Sequence, residues 1–506
     1  MLGLLILLAL SAAAADKEEW DPVKNQLPDF MASTDGSIGT LTTSGGTPVS
    51  DHEATSTLDT DSVIDNEYFL DKITNFVTKK IPERVVHPKG SGAFGYFEVT
   101  HDISDICKAN FLNKIGKKTP IAVRLSTNQG HRGSSDLNRD LRGFAIKFYT
   151  EEGILDLLGF STSAFNFKDP LHFDAFNNAA AENPATGFVD LSAFWDIMTS
   201  LPEALFLGLQ LFSDSGIPAS YAHMTAHAIH TYQVVNDCGV NHFVRFVWTP
   251  DEGVKNLMSA EAKNISSNDP DHLGRDLYTR IAKGKNLYWT LSVQILSEAD
   301  VKKTGPIVFD ITTIISTKDF PLHPVGRIVL NKNPNNYHAQ VEQMAFCPSS
   351  LVPGILGAPD KLFKARRLAY RHSQMYRLGS NFKKIPVNCP FRVDTHTYVR
   401  DGVPPVGDNE KGAPNYYPNS FNGAEPYREK YNSKLIKIKE TSRVDNFGQA
   451  AEYYEELSPG EKSRLIENLA DSVGRSTKMI QERVVNAFGS IHQELGYGLG
   501  QKLNIK

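Results

Sequence analysis

Cysteine is scarce in this chain. Four residues, Cys107, Cys238, Cys347 and Cys389, are spread over 506 positions with no C-x-x-C pair and no metal-ligand spacing. A chain of this length has core enough to fold without staples, so mostly free, buried thiols are expected. A basic surplus is also missing. Lys and Arg total 53 against 58 Asp and Glu, a formal charge of −5, which leaves no electrostatic footprint for nucleic acid or an anionic membrane surface. One long apolar run exists, residues 1–15, and it is too short to span a bilayer. It ends in Ala12-Ala-Ala-Ala15 before Asp16, which reads as a secretory leader with an Ala-x-Ala cleavage site, although the usual basic start is lacking. The protein is therefore expected to be secreted, without a membrane span. The last residues, Leu503-Asn-Ile-Lys506, lack a peroxisomal address. No internal repeat or low-complexity tract occurs.

What is present is an ordinary folded composition, 41% hydrophobic and 22% charged. Residues 16–66 are rich in Ser, Thr, Gly and Asp without apolar periodicity, and read as an extended arm. Across 67–330, strand-like runs such as Phe94-Gly-Tyr-Phe-Glu-Val, Pro120-Ile-Ala-Val-Arg-Leu and Phe144-Ala-Ile-Lys-Phe-Tyr recur between turns. Between them Leu191 to Leu205 reads as one helical stretch. Residues 331–445 show little regular period. Residues 446–506 return to helical spacing, part of it behind a Ser458-Pro-Gly-Glu start. Alone this predicts an α+β fold. One clear glycosylation sequon, Asn264-Ile-Ser266, would suit a surface loop.

Two short stretches carry chemistry. Pro82-Glu-Arg84-Val-Val-His87-Pro-Lys-Gly offers an imidazole, and Arg366-Arg-Leu-Ala-Tyr370 offers a phenol with a guanidinium one helical turn before it. A tyrosine normally keeps its proton to about pH 10, so binding iron through its oxygen needs a cation beside it as well as the metal. These stretches and their surroundings resemble the catalase family. The same is true of Gly116-Lys-Lys-Thr-Pro-Ile-Ala-Val-Arg124-Leu-Ser126-Thr, of Arg139-Asp-Leu-Arg-Gly-Phe-Ala-Ile-Lys-Phe148, of Pro386-Val-Asn-Cys-Pro390 and of Gly412-Ala-Pro-Asn-Tyr-Tyr-Pro-Asn-Ser-Phe421.

The resemblance implies an antiparallel β-barrel with an N-terminal arm, a wrapping segment and C-terminal helices. It implies haem b with Tyr370 as iron ligand, Arg366 lowering that oxygen's proton affinity, and Arg84, Arg124 and Arg377 on the propionates. His87 would shuttle the peroxide proton, with Ser126 fixing its tautomer. Phe165 and Phe173 would pack near the haem, His230 would support the proximal side without binding metal, and the assembly would be a homotetramer.

Departures from the family bear on substrate. The distal asparagine is replaced by Phe160, with Ser161 beside it; both are read as catalytic-pocket residues. The valine at the access channel becomes Asn128, and Asp136 is read as the channel aspartate. Family positions that bind NADPH hold Phe206, Ser215, Thr249, Ile315 and Thr317, so no NADPH is expected. These changes favour an exported enzyme converting fatty acid hydroperoxides, resembling allene oxide synthases and hydroperoxide dehydratases, though Val86 stands where those synthases carry a hydroxyl residue. The alternative is conventional dismutation of hydrogen peroxide. A third reading is a haem carrier without activity, whose signature, loss of His87 or Tyr370, is absent.

Overall fold

The computed structural model describes residues 20–55, 63–404, 407, 410–439 and 445–505. The expected leader, residues 1–15, lies outside them. Contacts divide the chain into a unit ending at Ile81 and a second from Pro82 onward. In the first unit the expected extended arm is partly helical, with helices at Gln26–Ser33 and Asp51–Thr55. The helix Glu67–Thr78 follows, started by the Asn66 side chain, which accepts from Phe69 N at 2.9 Å. Ser44 bonds the Asp71 carboxylate through its backbone N at 2.7 Å and its hydroxyl at 2.8 Å.

In the second unit ten strands form one sheet that closes on itself: β1 (Gly90–Val99), β2 (Lys118–Thr127), β3 (Arg142–Thr150), β4 (Gly153–Phe160), β5 (Ala226–His227), β6 (Tyr232–Val235), β7 (Asn241–Pro250), β8 (Leu287–Ser297), β9 (His323–Lys332) and β10 (Ile355–Gly357). The antiparallel ring runs β1-β2-β3-β4-β5-β7-β8-β9 and returns to β1, while β6 and β10 extend outward from β7. Closure removes free edges. Large rings fill the interior: Phe144 meets Trp289 edge-on at 5.0 Å and Trp248 at 5.6 Å, all fully buried.

A second core lies among helices. Trp195, Leu209, Leu465, Leu469, Val484, Phe488, Leu495 and Leu499 are buried together. The single helix expected from Leu191 is broken. One helix ends at Ser200 and the next begins at Ala204, because Pro202 cannot donate in an interior turn. The weakly periodic 331–445 stretch contains a helix of 18 residues, Lys361–Leu378. Its apolar stripe is narrow because the buried face carries Arg366, Gln374 and Arg377. The Asn264 sequon lies exposed on helix Ser259–Asn268, not in a loop. Among the described residues no helix is long and apolar enough to cross a membrane. The cysteines are free, with Cys107 and Cys347 buried, Cys389 half-buried and Cys238 exposed.

Candidate active site

His87 precedes β1 in the left-handed region, with φ 63°, a conformation rare for a residue with a Cβ and found at constrained sites. It is over-determined from several sides. Its N–H donates to Asn128 O at 2.9 Å, its carbonyl accepts from Arg124 Nη1 at 2.8 Å, and its Nδ1 lies 3.0 Å from Ser126 Oγ and 3.1 Å from Thr127 O. A carbonyl can only accept, so Nδ1 carries the hydrogen and Nε2 is left as a proton acceptor. Gly143 on β3 makes room for this arrangement. A Cβ there would lie 2.8 Å from Ser126 Oγ and 2.9 Å from the imidazole.

The same cavity is lined by Tyr370, brought there by helix Lys361–Leu378. Arg366 Nη2 donates to its hydroxyl at 3.0 Å, and Arg366 Nη1 donates to His230 Nε2 at 2.7 Å. His230 Nδ1 then donates to Asp360 Oδ2 at 2.9 Å. The other Asp360 oxygen caps the helix by accepting from Phe363 N at 2.7 Å. The helix start thus anchors a relay running Asp360, His230, Arg366, Tyr370. His230 supports and does not face the cavity, as the resemblance implies.

Three guanidiniums converge on one buried carboxylate. Arg377 and Arg132 reach Glu342 Oε1 at 3.1 Å, and Arg84 lies 3.5 Å from Oε2. Arg84 also donates to the carbonyls of Val341, Glu342 and Met344. Burial lowers the proton affinity of Arg84, and the Arg124 and Arg377 cations lower it further. Positive charge therefore exceeds negative here, and Arg84 Nη1 and Arg124 Nε are buried without a hydrogen-bond partner. Arg84 and Arg124 line the cavity, with Val86, Leu158, Phe173 and Phe346 as apolar walls. Arg377 sits behind, bonding Gln374 at 3.0 Å. A slot with a phenol oxygen, an imidazole, apolar walls and unmatched guanidiniums fits a flat, dianionic macrocycle such as haem. The Arg366 guanidinium carbon is 5.6 Å from the Phe160 ring centroid, too close for a flat ring to lie between them. A planar group enters beside the Phe160 ring or displaces it.

The other sequence-derived positions divide. Phe160, ending β4, lies 5.7 Å from the His87 ring and 5.4 Å from Phe165. Ser161 is not brought to the cavity shared by His87 and Tyr370. Its hydroxyl accepts from Arg142 N at 3.0 Å, and it lines a separate polar void with Ser163, Gln210, Ser215, His223, His227 and Tyr453. Asn128 does line the access void, but the carboxylate beside it is Asp140 and not Asp136. Asp140 accepts from Asn128 N at 2.6 Å and Gln129 N at 2.7 Å. Asp136 instead accepts from the backbone of Leu273 and Gly274. Of the positions tied to NADPH, Phe206 and Ile315 are buried, Thr249 and Thr317 exposed. Ser215 donates to Gln210 O at 3.0 Å. The described residues around that void include no lysine or arginine. Glu342, Asp360 and Arg132 escaped sequence reasoning, since a lone acid among ordinary residues has no local signature.

Burial, then the Arg124, Arg366 and Arg84 cations, push the His87 imidazole down from 6.5 to about 3. The imidazole therefore stays neutral far below the ordinary histidine range. Any kcat/KM that depends on it as a proton acceptor should be flat from about pH 8 to about pH 5. An inflection near 6.5 would contradict this assignment. Stability moves with the same group. Between about 3 and 6.5 the unfolded chain binds the extra proton, so this contribution is complete above 6.5 and declines as the pH falls toward 3.

With this geometry in place, comparison with known proteins is decisive for class. The chain matches the family described as Catalase over residues 42–423, and the domain described as Catalase-related immune-responsive over 440–503. It is 41% identical to the catalase of Drosophila melanogaster over 496 residues, covering 96% of this chain and 98% of the relative. It is 43% identical to the catalase of Cavia porcellus, covering 90% and 88%. Catalase A from Saccharomyces cerevisiae superposes with a TM-score of 0.86 at 36% identity, covering 92% and 99%. A fungal catalase gives the same TM-score at 36% identity, covering 93% and 98%. This chain is a member of the catalase family, an oxidoreductase class acting on peroxides.

Proposed function

We propose that the chain binds haem b through Tyr370 and dismutates hydrogen peroxide to water and oxygen. One observation carries this reading: the phenol of Tyr370, which ends the relay Asp360–His230–Arg366, and the imidazole of His87 line one cavity. The relatives' name, catalase, favours this over the lipid chemistry first expected from the sequence. Haem iron supplies the two-electron redox chemistry that dismutation needs. His87 Nε2 takes a proton from one peroxide oxygen and returns it to the other, so that the departing oxygen leaves as water. Ser126 and Thr127 keep the imidazole in the tautomer for that transfer. Arg366 directs a charge-assisted hydrogen bond at the Tyr370 oxygen, at 3.0 Å, and would favour that oxygen as the iron ligand. Arg84 and Arg124, which line the cavity with an unmatched nitrogen each, would pair with the carboxylates of the macrocycle, while Arg377, engaged by Gln374 and Glu342, stands behind them and does not reach it.

The second reading, conversion of a fatty acid hydroperoxide, is favoured by the Phe160 ring against His87, an apolar wall where a small peroxide gains no hydrogen bond. The two are separated by oxygen release from hydrogen peroxide and loss of linoleic acid hydroperoxide, measured side by side at equal haem content. Dismutation predicts rapid oxygen release and slow lipid turnover; the reverse ranking selects the lipid enzyme. The same proposal carries export with residues 1–15 as leader, supported by their apolar run and small-residue end, a homotetramer by family resemblance, and no tethered NADPH, supported by Ser215 and Thr249 in place of cations.

A further inference from the structure

We propose that Asn166 positions the incoming peroxide in the access cavity, supplying the amide that position 160 does not provide. The inference rests on the dismutation reading. Asn166 is 3% exposed, and its Oδ1 is buried with no hydrogen-bond partner. A buried amide left unmatched costs free energy, and a native structure keeps one where something else fills the bond. The residue lines the void that also holds His87, Asn128, Phe160 and Tyr370.

Its place in the chain fixes it there. Phe165 N donates to Ile311 O at 2.8 Å, and the rings of Phe165 and Phe167 meet edge-on at 5.1 Å. Asn166 sits between those two residues, and Phe165 in turn packs on Phe160 at 5.4 Å. Asn166 is the polar residue between the Phe165 and Phe167 rings in the chain, and it lines the void with both of them. The nearby carboxylate Asp140 is already engaged by the backbone of Asn128 and Gln129. Hydrogen peroxide carries two hydroxyl donors and two acceptors, so it can satisfy an amide on one side and an imidazole on the other. The alkyl chain of a lipid hydroperoxide can do neither at this point. The amide thus selects for a small, doubly hydrogen-bonding substrate.

The test compares wild type, Asn166→Leu and the double variant Phe160→Asn/Asn166→Leu, each haem-loaded. Leu keeps the number of side-chain heavy atoms and the branch at Cγ, and replaces the amide by two methyl groups. The single variant should lose about tenfold or more in kcat/KM for oxygen release from hydrogen peroxide, with haem content and Tm not reduced. The double variant, with an amide restored on the other side of the stack, should regain rate over the single one. If Asn166→Leu keeps kcat/KM within about twofold, or loses rate together with haem or Tm, the proposal is wrong, the latter result marking a packing role. Wild type that releases no oxygen contradicts the dismutation reading itself, whatever residue 166 does.

Discussion

Tyr370→Phe should purify with most of its haem and its Soret band gone while its far-ultraviolet spectrum is unchanged. The phenol oxygen is the proposed ligand lining the cavity, and it accepts from Arg366 Nη2 at 3.0 Å. Phenylalanine keeps the ring and its packing against the cluster that includes Phe346, so the barrel has no reason to unfold. What it removes is the ligand and one acceptor of a buried guanidinium, a loss of about 1–3 kcal/mol for the unmatched group. Retained haem with an unaltered spectrum would show that Tyr370 is not the ligand.

Replacing the base should do the opposite, leaving haem in place and removing chemistry. His87→Asn is the informative variant because asparagine tolerates the left-handed backbone that His87 adopts at φ 63°, whereas a branched residue would strain it. Its amide cannot accept and return a proton. Oxygen release should fall by about a hundredfold to ten-thousandfold, the usual share of a positioned acid-base group, at unchanged haem content and Tm. Activity within about tenfold of wild type would remove His87 from the mechanism.

Much of this site was legible because its chemistry is written in short local motifs. His87 and Tyr370 are each flanked by residues that also serve the site: Arg84 three positions before the imidazole, Arg366 one turn before the phenol. The barrel strands were visible as β-branched and aromatic runs, but their ends moved outward; β1 starts at Gly90 and not at Phe94, since glycines and serines join a ladder when neighbouring strands supply the hydrogen bonds. Helix Lys361–Leu378 was legible only as the turn joining Arg366 to Tyr370 and not over its length, because beyond Leu362 and Phe363 the residues it buries are Arg366, Gln374 and Arg377 and not an apolar stripe. The substitution of Asp140 for Asp136 has a similar cause. Two acids four residues apart look alike in sequence, and only their backbone partners separate a channel wall from a turn. Ser161 was misplaced because neighbouring strand residues point to opposite faces. With Phe160 turned to the imidazole, Ser161 turns away. Asn166 passed unnoticed because an asparagine within Phe165-Asn-Phe167 carries no motif; its interest lies in burial without a partner.

The central claim is that these residues hold haem for dismutation, and the most direct measurement is the oxygen yield per hydrogen peroxide consumed by the purified wild type without added reductant. Dismutation requires one oxygen molecule for every two peroxides, and the account predicts that yield, lost together with haem in Tyr370→Phe. Peroxide consumed without oxygen, or no consumption by fully haem-loaded protein, would contradict it.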